Sequence, residues 1–92
     1  EMNIKDLPHT VYAEAFEELQ KKVEFFNERF DGNLVIDSCV ENTDNFRHVY
    51  VYVHGDRDLI NVLSIRMVSW QHQRHSVCCI YVLPVEEMKG TL

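Results

Sequence analysis

Apolar residues recur through the first third of the chain at intervals of four, three, four, three and four, as Tyr12, Phe16, Leu19, Val23, Phe26 and Phe30. This spacing places all six on one stripe of an α-helix, so residues 11–30 are expected to form one long amphipathic helix. Thr10 can cap its first turn, Pro8 suits an entrance, and Asp31-Gly32-Asn33 offers a glycine able to take the left-handed conformation that ends a helix. Glu17 with Lys21 and Glu18 with Lys22 stand four apart in the favourable order, each pair adding ~0.2–0.5 kcal/mol.

Beyond Gly32 the pattern changes to strands separated by turn residues. Residues 34–41 alternate, 42–45 form a turn, and 46–54 are rich in valine and tyrosine. A second turn covers 55–58. Residues 59–70 would also suit a helix through Leu59, Leu63 and Met67, but their Ile, Val and Trp content favours a strand. A third turn at 71–74 leads to a last strand over 75–83, with Pro84 as its stop and 85–92 as a helical turn or loose tail. Connections of roughly four residues pair each strand antiparallel with the next. The expected fold is α+β: one long N-terminal amphipathic helix packed on a four-stranded antiparallel meander, as a single domain over residues 1–92.

One helix covers only part of one sheet face. In the second strand Val49, Val51 and Val53 point one way, while Phe46, His48, Tyr50, Tyr52 and His54 point the other. If the helix lies on the valines, an aromatic face remains. Tyrosine is apolar in body and polar at its tip, which suits interfaces, so Phe46, Tyr50, Tyr52 and Tyr81 are candidates for a homodimer face.

Composition narrows the possibilities. The 92 residues carry 15 acids and 9 Lys and Arg, a net charge of −6, with 46% apolar positions. That apolar fraction is too high for a disordered acidic tail, and no run approaches the roughly 20 apolar residues of a membrane span. The amino end lacks a basic segment followed by an apolar run, so no leader is expected, Met2 is taken as the native start, and a cytoplasmic location follows. Residues 1–46 hold eleven acids and four bases, a charge of −7, and the remainder four acids and five bases, a charge of +1. Such an acidic surface disfavours nucleic acid as a direct partner.

Catalytic chemistry has no assembled set of groups. Cys39, Cys78 and Cys79 make an odd count without framework spacing, which points to buried thiols. His72, His75, Cys78 and Cys79 have metal-like content, but a strand would place Cys78 on the face opposite His75 and Cys79, so no metal is expected. Nothing orders Cys39 or Cys79 against His48 or His54 for nucleophilic catalysis, and no glycine loop could cradle phosphate. The expectation is a protein that is not an enzyme and needs no cofactor.

The acids themselves are the remaining candidate. Glu14, Glu17, Glu18, Glu24 and Glu28 lie opposite the apolar stripe, Asp31 follows, and Asp37, Glu41 and Asp44 could extend the row. Glu14 to Glu28 spans roughly 21 Å at the helical rise, and one DNA strand has a phosphate every ~3.4 Å. The small size, the acidic run from Glu14-Ala15-Phe16-Glu17-Glu18-Leu19 to Phe30-Asp31-Gly32-Asn33, and the strand-rich remainder with its cysteines resemble the small phage-encoded anti-restriction proteins that mimic DNA, the Arn-like group. The resemblance implies a homodimeric, non-enzymatic inhibitor acting in the host cytoplasm. Its nine carboxylates would stand in for phosphates on a basic DNA-binding host protein, such as a restriction endonuclease or a nucleoid protein. Mimicry requires Arg47, Arg57, Arg66 and Arg74 to lie away from that surface. The alternative is an interaction or assembly subunit that binds through the aromatic sheet face.

Overall fold

In a computed structural model, residues 10–41, 48–75 and 79–90 of the chain are described. The long helix forms as the periodicity predicts: α1 (Thr10–Arg29) buries Ala15, Leu19, Val23 and Phe26, with Phe16 half-buried beside them. Phe30 lies just past the helix and is exposed, its ring meeting Phe26 edge-on at 5.7 Å. The left-handed residue at this end is Asp31 (φ 50°) and not the expected glycine. The Gly32 N–H donates to the Asn27 carbonyl at 3.1 Å, the six-to-one bond of a helix stop. The Asn27 side chain then holds the outgoing chain, accepting from the Leu34 N–H at 2.8 Å and donating to the Leu34 carbonyl at 3.1 Å.

Two strands follow, β1 (Val35–Glu41) and β2 (His48–His54), paired antiparallel. Asp37 is skipped by the register between Ile36 and Ser38, a bulge that bends this edge strand. The pairing places Ile36 and Cys39 opposite Val53 and Val51, and Val40 opposite Tyr50. The turn at residues 42–45 lies outside the described residues.

The four-stranded antiparallel meander is not what forms. Residues expected as the third strand belong to α2 (Arg57–Gln73), and the sheet has three strands in the order β1-β2-β3, with β3 (Cys79–Pro84) parallel to β2. A last short helix, α3 (Val85–Gly90), contacts β2 and β3. The cause is local and then tertiary. The Asp56 carboxylate caps α2 by accepting from the Asp58 N–H at 2.8 Å and the Leu59 N–H at 3.0 Å. Ile60, Leu63, Met67 and Gln71 then form a buried stripe at helical spacing, while strand-favouring Val62, Ile65 and Val68 face outward, with Ile65 69% exposed. Parallel strands cannot be joined by a tight turn, so the helix is the crossover the sheet needs. Gly55 (φ 137°) makes the corner between β2 and α2; a Cβ there would sit 2.5 Å from Leu34 Cδ2.

Both long helices pack on the Val49, Val51, Val53, Ile80 and Val82 side, around one cluster of buried residues. Glu14 near the start of α1 pairs with Arg74 past the end of α2, whose guanidinium lies 4.9 Å over the Trp70 ring; Phe26 late in α1 meets Arg66 at 5.8 Å. The helices therefore run antiparallel. Gln71 is the buried polar residue of the described core. Its amide accepts from the Ile80 N–H at 2.5 Å and donates to the Ile80 carbonyl at 3.1 Å and the Met67 carbonyl at 3.0 Å. Replacing it by a shape-similar apolar residue, Gln71→Leu, leaves both Ile80 groups unmatched and is expected to lower stability by about 2–4 kcal/mol. Urea unfolding with an unchanged slope measures this.

Candidate functional site

With both long helices on the valine side, the other face of the sheet carries Val35, Ser38, Val40, His48, Tyr50, Tyr52, His54, Tyr81 and Leu83 by register. Tyr50 stands opposite Tyr81 across the parallel pair, and their rings stack at 5.5 Å, inclined by 24°. His48 meets Tyr81 edge-on at 5.2 Å. These geometries suit the positive edges and negative faces of aromatic rings. All three side chains are half-buried, so their outer surfaces remain available. Of the candidate dimer-face residues, Tyr50 and Tyr81 are thus brought together. Tyr52 is only 4% exposed and is withdrawn from the surface. Phe46 lies outside the described residues. Val40 joins the patch through its pairing with Tyr50, a neighbour that only the hairpin register reveals.

The acids do not form one row. On α1, Glu17, Glu24 and Glu28 are exposed on the stripe farthest from the core and make no ion pair among the described residues; Lys21 shares that stripe. Glu14 and Glu18 sit on the flank toward α2, Glu14 held by Arg74 and Glu18 by Lys22 at 2.8 Å. Asp31 is exposed beyond the helix end. Asp37 belongs to the β1 edge, where its carboxylate meets His54 Nε2 at 2.8 Å. Glu41 ends β1 but its side chain, like all of Asp44, lies outside the described residues. Arg66 and Arg74, which mimicry needs distant, border α1.

No three or more His, Cys, Asp or Glu side chains converge as a metal site among the described residues. His72 is in the last turn of α2 and His75 follows it with a left-handed backbone (φ 52°); Cys78 lies outside the described residues. Cys39 is fully buried in the core. No helix among the described residues is long and apolar enough to cross a membrane.

No protein-family model, curated protein or solved structure matches the chain, so its chemistry rests on its own residues.

The hydrogen bond from His54, with Ser38 adding a second, holds the Asp37 carboxyl below its ordinary value of 3.8. The sign follows from linkage: a depressed carboxyl stabilises the fold above its ordinary value, and that contribution is lost as pH falls through the folded-state midpoint. An NMR titration of the Asp37 carboxyl is expected to show a midpoint below 3.8 that moves upward in His54→Ala. An unmoved midpoint contradicts the assigned cause.

Proposed function

We propose that the chain is a non-catalytic, cytoplasmic binding protein that assembles as a homodimer through the aromatic face of its sheet. The observation supporting this is the half-buried cluster of His48, Tyr50 and Tyr81 on a face that neither long helix covers. Rings with an apolar body and a polar edge gain from desolvation without stranding a charge. Charge favours a second copy as the occupant. A chain of net charge −6 repels itself over most of its surface. The aromatic face is different: around the rings stand Ser38 and Val40, and its carboxylate, Asp37, is already hydrogen-bonded to His54. A two-fold axis across the face leaves α1 and α2 of both copies outward.

A second reading rests on Glu17, Glu24 and Glu28. Their exposure on one stripe without an ion pair among the described residues supports a surface that binds a basic DNA-binding protein in place of DNA. In the dimer this stripe stays accessible, so the two readings are compatible. It is a row of three carboxylates, with Asp31 beyond it, and not the nine of the sequence expectation.

Tyr50→Asp places like charges across the axis and is expected to weaken self-association at least tenfold, about 1.4 kcal/mol. Sedimentation equilibrium measures this, with circular dichroism verifying the fold; a wild-type chain that sediments as a monomer overturns the dimer. For the second reading, the triple change Glu17→Gln, Glu24→Gln and Glu28→Gln should abolish both binding to a basic DNA-binding protein and its dependence on ionic strength. Undiminished capture of the same target refutes the mimicry while leaving the dimer untouched.

A further inference from the structure

Between α1 and α2, on the side of the molecule away from the sheet, runs an open groove of about 340 Å³ lined by Glu18, Lys21, Lys22, Phe25, Phe26 and Arg66. Its floor is the buried ring of Phe26. One wall is Phe25, 53% exposed and 6.1 Å from Phe26 between ring centres. The other is Arg66, its guanidinium over the Phe26 ring at 5.8 Å, with Val62 one turn earlier on α2 and 42% exposed. Three of the chain's nine basic side chains line this groove against one of its 15 acids, and the Glu18–Lys22 pair leaves Lys21 and Arg66 as cations without an ion pair among the described residues. The groove is therefore net cationic on a chain of net charge −6.

We propose that this groove docks an acidic amphipathic helix of a partner protein. An apolar side chain of the partner would enter against exposed Phe25 and Val62, with Phe26 buried beneath, in the i, i+3, i+4 anchoring of a helix laid in a groove. Its flanking carboxylates would reach Lys21 and Arg66, and Arg66 offers a planar fork suited to a carboxylate. Charge decides against a basic partner here, which would meet Lys21 and Arg66. A second copy of this chain is also disfavoured, because the carboxylates on its α1 are interspersed with Lys21 and Lys22 in the same way.

The test uses the full chain, isotope-labelled, titrated with two synthetic helical peptides. Both carry Leu at helical spacing; one carries Glu between the leucines and the other Lys. The Glu peptide is expected to bind saturably, shifting the resonances of Lys21, Phe25, Val62 and Arg66 and leaving Tyr50 and Tyr81 unmoved. The Lys peptide should bind at least tenfold more weakly. Lys21→Glu and Phe25→Ala alter exposed side chains, so their folds are verifiable by the same spectra, and each should weaken the Glu peptide at least fivefold. Equal affinity for the two peptides, an absence of saturable binding, or shifts confined to Tyr50 and Tyr81 would overturn the proposal. None of these outcomes depends on whether the sheet face dimerises.

Discussion

The structure depends on a side chain doing the work of a backbone. In a parallel pair, alternate residues of each strand turn their N–H and C=O away from the neighbour. At Ile80 both of those groups are taken by the Gln71 amide, from the last turn of α2. That bond pair fastens the end of the crossover helix to the start of the strand it delivers, while Ile60, Leu63 and Met67 seal the same helix onto the core. Fixing Ile80 opposite Val49 necessarily fixes Tyr81 opposite Tyr50. The aromatic cluster on the far side of the sheet is therefore a consequence of a polar contact buried under the helices.

Sequence patterns reveal what is decided locally. The stripe of α1 is legible because Phe16, Leu19, Val23 and Phe26 also point into the core, and the alternation of β2 is legible because valines and aromatics separate between faces. α2 is misread because its outward positions are filled by Val62, Ile65 and Val68, residues that favour strands but here stand exposed on a helix. Its buried stripe also ends in a glutamine, which hides the helical period from any count of apolar residues. The parallel pairing of β3 follows from that helix and is invisible without it. At the end of α1 the glycine was the conventional choice for the left-handed position, yet Asp31 takes it and Gly32 only donates the closing hydrogen bond.

The same two-layer layout sorts the charges. With two helices on one side, acids that look contiguous along the sequence divide between the outer stripe of α1, the α1–α2 flank and the β1 edge. The flank carries its own cations, Arg74 against Glu14 and Lys22 against Glu18, so it is close to neutral or positive locally. The outer stripe keeps its negative charge. The sheet face has Asp37 hydrogen-bonded to His54 and carries the stacked rings. The proposed self-association uses this face.

The most direct measurement of that claim is an isotope-filtered NMR experiment on a mixture of labelled and unlabelled chains, which detects only contacts between molecules. Self-association through the aromatic sheet face predicts intermolecular contacts among the Tyr50, Tyr81 and Val40 side chains. Intermolecular contacts at Ile65 and Val68 with none at the tyrosines would contradict it.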